Sequence, residues 1–442
     1  MENELHLNEF RIIRRDDSEE GFLTYYVEPE EEETVCLHCS SVNTVRNGTL
    51  SRYARDLPAF GKQVALMVRQ HRYLCRDCGK TCTHGLQSIE GKDRITKRLR
   101  EQVKKDVLNG TFSSVAASYG LSVTIVKSIF GEYVAEQEKS FVRYAPKVLG
   151  IDEAHLNNAM RGVIVDVEER GLIEILPKRD KKSVIEYLES LPRRRNTRVV
   201  TMDMWRPYRD AVRDVLPHAM IVIDKFHVIK EVNSALESFR KTFQKSLDKP
   251  RRISLKSSRF LLLKNREDLN TKDEEELKLL LKVYPELSMP YALKESFRDI
   301  YAAGNRFIAE ERFEEWKASI PKEYIPFFNV AATVENWHAE IFNYFDYRYT
   351  NAITESINNL IKSMEKAGRG YTFEVLRAKM LYGTMATKKP VYRTKPKRKE
   401  GYLYYATFDN LFDVVELERG SMVSIDAISE ILQTLLCSEQ KL

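Results

Sequence analysis

Three acidic residues are placed where a divalent-metal site could be assembled. Asp152 and Asp203 each end an apolar, strand-like run, and Glu355 lies near the start of a stretch with helical periodicity. Hard divalent cations prefer oxygen ligands such as carboxylates. A pair of such ions, about 3.5–4 Å apart, can activate an attacking oxygen and stabilise a leaving one. A lone helix glutamate is usually just solvated, but together with two strand-end aspartates it predicts a two-metal site for phosphoryl transfer.

The stretch around Glu355 predicts an amphipathic helix over residues 350–362. Asn351 is the candidate N-cap. The predicted apolar face consists of Ile353, Ile357, Leu360, Ile361 and Met364. The polar face carries Glu355, Asn359 and Lys362 at i, i+4 and i+7. Lys362 is a candidate phosphate contact or simply an exposed lysine. The rivals of Glu355 for the metal are Glu335, Glu340 and Glu365.

The segment around the two aspartates predicts a sheet that makes them neighbours. Three meandering strands are followed by a helix, a strand, a helix and a strand. The strands are predicted at 148–152, 162–167, 172–176, 198–203 and 219–224. This order matches an RNase H-like sheet, in which the first and fourth strands lie side by side. Asp152 and Asp203 are then expected together.

Asp224 and His227 follow the last predicted strand in the motif DKFH. Asp224 competes with Asp203 for the second ligand position. We favour Asp203, because its strand is predicted to be adjacent to that of Asp152. For His227, a structural role near a strand end and a role in the site are about equally consistent with the sequence.

Two C-x-x-C pairs predict a zinc site near the N-terminus. They are formed by Cys36, Cys39, Cys75 and Cys78. Each pair can supply two thiolates from one tight turn, and four thiolates complete a tetrahedral zinc site. The segment 64–74 between the pairs predicts a strand of a zinc ribbon. Two matched pairs favour a metal site over a redox C-x-x-C pair. Four other residues are competing zinc ligands that we rank behind the four cysteines: His38, His71, Cys82 and His84. We expect Zn²⁺ here to be structural.

A basic helical region at 92–136 contains the spacing of a helix-turn-helix. A short helix, a turn at Gly120 and a second helix capped by Ser122 follow one another. Many helical hairpins share this pattern, but beside a basic zinc ribbon it favours binding of double-stranded DNA. The candidate DNA contacts are Arg94, Lys97, Arg98, Ser122, Thr124 and Lys127.

Composition limits the class of protein. The chain has 442 residues, a formal net charge of +6 and 43% hydrophobic residues, which indicates a globular protein of several domains. No apolar run is long enough to cross a bilayer, and the N-terminus lacks the pattern of a signal peptide. We therefore expect a cytoplasmic protein without a membrane partner. Its six cysteines argue for metal binding rather than for disulfides in that compartment.

These motifs together resemble the DDE transposases of bacterial insertion sequences, in the ISL-three family. The resemblance spans about residues 35–385. Beyond the cysteine pairs and the helix-turn-helix, its motifs are GIDE at 150–153, TMDMWRPYRDAV at 201–212, DKFHV at 224–228, TNAITESINNLIK at 350–362 and GRGYTFEVLRAK at 368–379. It implies that Asp152, Asp203 and Glu355 are a catalytic triad, and that Asp224 and His227 form a D-x-x-H element.

The residue patterns and the resemblance together predict the domain order, and the resemblance implies the activity. The expected parts are an acidic, solvated tail (1–34), a zinc ribbon (35–90), a helix-turn-helix domain (91–140), the first part of an α/β RNase H-like catalytic domain (145–228), a mostly helical insertion (229–348), the last catalytic part (349–385), and a basic linker with a C-terminal tail (386–442). Cleavage at element ends would require Mg²⁺ or Mn²⁺, and the freed 3′-OH would join to target DNA. A homodimer or higher oligomer on DNA is expected.

Two other functions fit parts of the sequence. An RNase H-like nuclease or resolvase would cut DNA without joining it. A domesticated DNA-binding regulator would use the zinc ribbon and the helix-turn-helix alone. The presence of Asp152, Asp203 and Glu355 together disfavours the regulator.

Overall fold

The computed structural model of the chain describes residues 4–31, 34–90 and 94–383. The predicted basic linker and C-terminal tail, residues 386–442, lie outside the described residues, as does part of the acidic run at residues 30–33. No single described helix is long and apolar enough to cross a membrane. One pair of helices, bent by 113°, meets such a criterion of length and composition only when the two are taken together.

The first sheet corrects the prediction of a solvated N-terminal tail. Its strands are β1 (Phe10–Asp16), β2 (Phe22–Pro29), β3 (Thr44–Ala59), β4 (Lys62–Cys75), β5 (Thr81–Cys82), β6 (Ile89–Glu90) and β7 (Ile95–Thr96). The order is β1-β2-β4-β3-β7-β6, with β5 on β4. Leu23, Tyr25 and Val27 alternate along β2 and are buried, so the tail prediction was wrong. The acidic run that follows β2 suggested a solvated segment, although the apolar alternation along β2 is typical of a half-buried strand.

Three helices follow the first sheet: α1 (Lys97–Asn109), α2 (Phe112–Tyr119) and α3 (Val123–Ser140). The predicted turn is present, since Gly120 adopts a left-handed conformation with φ of 59°. The Ser122 side chain accepts a hydrogen bond from the backbone N–H of Ile125 and caps α3, as predicted. Val103, Val126 and Ile129 are among the residues that form the small core between these helices.

The second sheet has the predicted strand order. Its strands are β8 (Val148–Leu156), β9 (Ala159–Asp166), β10 (Gly171–Ile175), β11 (Val199–Met202) and β12 (Met220–Ile223), with helices α4 (Lys181–Ser190) and α5 (Arg206–Val215) in the crossovers. The order is β10-β9-β8-β11-β12. β8 and β11, the first and fourth strands, pair in parallel, which confirms their predicted adjacency. β8 continues beyond its predicted end, so Asp152 lies within the strand.

A helical region follows the second sheet, as predicted. It comprises α6 (Lys225–Lys245), α7 (Lys249–Ser257), α8 (Arg259–Leu263), α9 (Thr271–Val283), α10 (Ser288–Ile300), α11 (Arg306–Ala318), α12 (Ile325–Asn336), α13 (His338–Phe342) and α14 (Tyr344–Tyr347). Single-turn 3₁₀ segments lie within this region at Arg266–Asp268 and Pro285–Leu287, and another precedes β11 at Arg194–Asn196. The core of the helical region is aromatic: the Phe297 and Trp316 rings meet edge to face, with centroids 4.8 Å apart.

The last two helices, α15 (Ala352–Gly368) and α16 (Phe373–Tyr382), return to the second sheet. α16 also contacts the N-terminal helices. Lys379 is fully buried, and its Nζ donates to the carbonyls of Val107 and Gly110 at the end of α1. Burial lowers the pKa of Lys379 to about 8. On the other side, Arg377 forms two hydrogen bonds of 2.7 Å with the buried Glu174 of β10. α16 thus ties the N-terminal helices to the second sheet.

Candidate active-site cleft and cysteine centre

A polar cleft of about 650 Å³ opens where β11 ends, between the second sheet and α15. All three predicted carboxylates line it: Asp152 from β8, Asp203 just after β11, and Glu355 from the first turn of α15. The predicted candidates His227 and Lys362 also line it. The structure therefore brings together residues from four separate segments of the chain.

Asp152 is the most buried of the three carboxylates. Its Oδ1 accepts a hydrogen bond of 2.7 Å from the backbone N–H of Glu153, and its Oδ2 accepts one of 2.8 Å from Asn358 Nδ2. Burial, followed by the nearby charge of Asp203, raises the pKa of Asp152 to about 7. A cation beside a carboxyl group in this setting would stabilise its ionised form.

Asp203 lies next to the D-x-x-H element. Its Oδ2 is 2.8 Å from Nε2 of His227, whose Nδ1 is 3.6 Å from the buried Asp224 carboxylate. Burial opposes protonation, but the hydrogen bond to Asp203 and the nearby Asp224 carboxylate raise the pKa of His227 to about 10. Asp203 Oδ1 is buried and has no hydrogen-bond partner among the described residues. An unpartnered buried carboxylate oxygen in an acidic cleft fits a cation ligand.

Glu355 is half-buried on α15 and faces the same acidic group. Burial, and then the charge of Asp224, raises its pKa. Its rivals are engaged elsewhere. Glu340 is buried in an ion pair with Arg213, and Glu335 lies 2.7 Å from Lys317. Glu365 accepts a 2.6 Å hydrogen bond from the backbone N–H of Asn157. Of these four glutamates, Glu355 is the one that lines the cleft.

The start of α15 is fixed to the sheet by buried polar contacts. Asn351 stands at the N-cap position, but its side chain makes no capping bond, so that part of the prediction was wrong. Instead its Oδ1 accepts hydrogen bonds from Thr354, at 2.7 Å, and from Thr201 of β11, at 3.2 Å. A Cβ at Gly150 would lie 2.5 Å from Val165 Cγ2 and 2.9 Å from Thr354 Oγ1. The glycine of GIDE therefore lets α15 approach β8 closely.

The predicted faces of α15 need two corrections. Leu360, predicted to be in the apolar face, is 40% exposed. Asn358 was not predicted and is buried against Asp152. The signal for it was weak, because Asn358 and the exposed Asn359 are adjacent and only the helix rotation distinguishes them. Ile357, Ile361 and Met364 are buried as predicted.

The cysteine centre is more tightly assembled than the cleft. Among the described residues, the one group of His, Cys, Asp and Glu whose ligand atoms all lie within 4.8 Å of one another is Cys36, Cys39, Cys75 and Cys78. The Cys36–Cys78 and Cys39–Cys75 sulfur atoms are 3.6 Å apart. A tetrahedron with Zn–S bonds of about 2.3 Å has sulfur atoms about 3.8 Å apart. The rival ligands Cys82, His38, His71 and His84 are not part of this group.

Cys36 and Cys39 differ in how readily their thiols ionise. The backbone N–H of His38 is the main cause that lowers the pKa of Cys36 to about 6. The backbone N–H of Ser41 favours the Cys39 thiolate, but the neighbouring sulfurs, Cys75 first, raise its pKa to about 12. Asp77 joins the two knuckles by accepting hydrogen bonds from Ser41 and Asn43. A metal cation would remove the repulsion between thiolates.

The structure separates the predicted DNA contacts into two groups. Arg98 is bound to the buried Asp56, with a 2.8 Å hydrogen bond from Nε, and it donates a 2.7 Å hydrogen bond to the Leu5 carbonyl. The Arg98 side chain is thus committed to Asp56 and Leu5, which makes it a weaker candidate for a DNA contact than the exposed residues. The remaining candidates are exposed: Arg94, Lys97, Ser122, Thr124 and Lys127.

Comparison with known proteins places the chain in a family. Residues 149–380, more than half of the chain, match the ISL3 family described as "Transposase". Residues 32–78 match the zinc-finger of the transposases of IS204, IS1001, IS1096 and IS1165. The chain belongs to the ISL-three family of transposases, as its motifs predicted. The zinc-finger match and the four adjacent thiols together support a structural Zn²⁺.

Curated transposases are similar over much of their length. The transposase for insertion sequence element IS1001 of Bordetella parapertussis is 27% identical over 361 residues, which cover 79% of this chain and 88% of that protein. The transposase for insertion sequence element IS1557 of Mycobacterium tuberculosis is 25% identical over 275 residues, or 56% of this chain and 62% of that protein.

Proposed function

We propose that this transposase cleaves the ends of its insertion sequence with two divalent metal ions and joins the freed 3′-OH to target DNA. The observation that carries the proposal is the convergence of Asp152, Asp203 and Glu355 on one cleft. The family match supports DNA as the substrate. The strand order β10-β9-β8-β11-β12, with its antiparallel β9, supports an RNase H-like catalytic domain.

Asp152, Asp203 and Glu355 would hold Mg²⁺ or Mn²⁺ in this cleft. The three carboxylates do not all place oxygen atoms within 4.8 Å of one another. Bound Mg²⁺ supplies charge that activates the attacking oxygen and stabilises the leaving oxygen.

The other residues of the cleft act on these ligands and on DNA. Asn358 fixes the orientation of the Asp152 carboxylate through its hydrogen bond. The His227 ring contacts Oδ2 of Asp203 and leaves Oδ1 without a partner among the described residues, so that Oδ1 is the oxygen left for a cation. Lys362 and Lys230 line the cleft and supply positive charge for the phosphates beside the reacting one. Because the nucleophiles are water and then the DNA 3′-OH, no covalent protein intermediate is needed.

We further propose that residues 35–140 read the element ends. The succession of α2, the Gly120 turn and α3 supports a helix-turn-helix, with Ser122, Thr124 and Lys127 exposed at the start of α3. Arg94 and Lys97 are positioned at the start of α1 to contact phosphates. An oligomer on DNA in the bacterial cytoplasm completes the proposal, since both ends of the element must be joined to the target DNA.

The test incubates the purified full-length protein, with Mg²⁺, with duplexes carrying the terminal sequences of its element and with target DNA. We expect 3′-OH ends at the element boundary and joined products. Cleavage without any joined product would favour the nuclease or resolvase, and binding without cleavage would favour the regulator. Binding should also weaken steeply with salt, and a protein that starts at residue 141 should lose its preference for the ends.

A further inference from the structure

Four arginines form an exposed surface at the end of the catalytic sheet opposite the cleft. Arg193, Arg194 and Arg195 lie between α4 and β11, and Arg198 immediately precedes β11. We call these four residues the arginine surface. They line two clefts, of about 890 and 480 Å³, which share Arg194 and Arg195. The larger is also lined by His218 and Tyr347.

The positive charge of the arginine surface is not neutralised within the part of the chain that the structure describes. No carboxylate there lies within 4.0 Å of any of the four guanidinium groups. The acidic residue that lines the same cleft, Asp214, is 2.6 Å from Lys181 and is paired there. Four adjacent cations without acidic partners are costly for folding alone, because like charges repel.

The loop that carries these arginines is held in place. The Thr197 side chain is buried and donates a 2.7 Å hydrogen bond to the Pro146 carbonyl. The backbone N–H of Asn196 donates to the Arg193 carbonyl, and Arg193 adopts a left-handed conformation with φ of 51°. A fixed backbone lowers the entropy lost when the side chains bind a ligand.

We propose that the arginine surface binds the phosphate backbone of duplex DNA outside the catalytic cleft. Arginine forks match phosphate oxygens and carry no preference for a base. Asp203 follows Arg198 by five residue steps along extended chain, a distance of roughly 16 Å at about 3.3 Å per step. The phosphates bound here are therefore not the reacting ones, and they belong to flanking or target DNA. This inference rests on the proposed function, because it assumes that the enzyme works on duplex DNA.

An acidic segment of a second copy is the alternative ligand. The acidic residues around Glu28 are the natural candidate, but Glu28 already pairs with Arg11 and Arg69 within its own sheet. A DNA backbone offers phosphates along its whole length, whereas Glu28 is already paired. DNA is therefore the favoured partner.

The test compares two full-length variants with equal loss of charge. One carries Arg193→Gln, Arg194→Gln, Arg195→Gln and Arg198→Gln. The control carries Lys256→Gln, Lys278→Gln, Lys282→Gln and Lys322→Gln, which remove four exposed lysines of the helical region. The measurement is the affinity for a duplex of unrelated sequence as a function of salt. The slope of log K against log salt is negative, and each lost phosphate contact reduces its magnitude by about 0.9.

We expect the affinity of the arginine variant for duplex DNA to fall at least about tenfold at low salt. The magnitude of its salt slope should fall by an amount that corresponds to the loss of about two to four phosphate contacts. The control should change little, and cleavage at saturating DNA should persist in both. The double variant Arg194→Gln/Arg195→Gln should show about half the change in slope, which guards against misfolding of the fourfold variant.

Equal losses of DNA affinity in both fourfold variants, or no loss in either, would overturn the inference. The proposed function would still stand if the wild-type protein cleaves the element ends. Loss of self-association in the absence of DNA, with unchanged DNA affinity, would assign the surface to a second copy and also overturn it. A wild-type protein that binds no duplex would overturn both proposals.

Discussion

The cysteine centre and the carboxylate cleft prepare ion sites in different ways. The four thiols come from two local turns at the base of one hairpin, and their sulfurs already lie within 4.8 Å of one another. The carboxylates come from β8, the end of β11 and α15, and they do not reach that spacing. The first site depends on local turns, whereas the second depends on the packing of α15 against the second sheet.

This difference predicts where each site is vulnerable. The cysteine centre should fail when a ligand is removed and tolerate changes around it. The cleft should also respond to residues that hold its carboxylates, because burial and mutual repulsion work against their ionised forms.

Cys75→Ser should have the largest effect on the cysteine centre. The full-length wild type should contain about one zinc per chain, and removal of one of four thiolates should weaken zinc binding by at least about 3 kcal/mol. Metal analysis after dialysis measures this loss. Cys82→Ser is the matched control, since Cys82 is buried nearby but lies outside the group. Equal zinc loss from both variants would contradict the assignment.

Asn358→Ala should have an intermediate effect on the cleft. It removes the hydrogen bond to Asp152, and loss of such a partner typically costs 10–100-fold in metal affinity or activity. We expect slower cleavage and a higher Mg²⁺ concentration for half-maximal rate, with unchanged DNA affinity. Ser356→Ala, an exposed change on the same helix, should leave both values unaltered. An unchanged Mg²⁺ requirement in Asn358→Ala would show that Asn358 does not position Asp152.

Asp77→Ala should have the smallest effect. It removes the hydrogen bonds that join the knuckles, but Asp77 is exposed and is not a ligand. Zinc release to a chelator should accelerate by less than about tenfold, near the lower end for residues behind a metal ligand. Arg76→Ala controls for a surface change in the same knuckle. Acceleration as large as that of Cys75→Ser would mean that the cysteine centre is not set by its turns alone.

Sequence patterns predicted the elements that depend on local signals. The C-x-x-C pairs, the Gly120 turn, the Ser122 cap and the order of strands β8 to β12 all follow from nearby residues or from topology rules. Asp152 and Asp203 were predicted to be neighbours because strand order places β8 beside β11. Glu355 was assigned to the same site from its place near the start of a predicted helix and from the family resemblance. These are features in which one strong pattern dominates.

Features that depend on partners distant in sequence were missed. The N-terminal strands pack onto β4 through parallel pairing, which no local signal indicates. Arg98 resembled the neighbouring basic residues until its partner, Asp56, was located. The role of Asn358 depends on the rotation of α15, which Asn351 and Gly150 set through contacts with the sheet.

The most direct test of the catalytic site compares Glu355→Gln with Glu365→Gln. Both lie on α15, and glutamine at 365 can still accept the hydrogen bond from Asn157. Mg²⁺-dependent cleavage of duplexes that carry the element ends is measured together with DNA affinity. Glu355→Gln should lower cleavage by about 10³-fold or more, since a catalytic metal ion contributes several kcal/mol, and it should bind DNA normally. Glu365→Gln should cleave within a few-fold of wild type. An active Glu355→Gln variant beside an inactive Glu365→Gln variant would contradict the proposed triad.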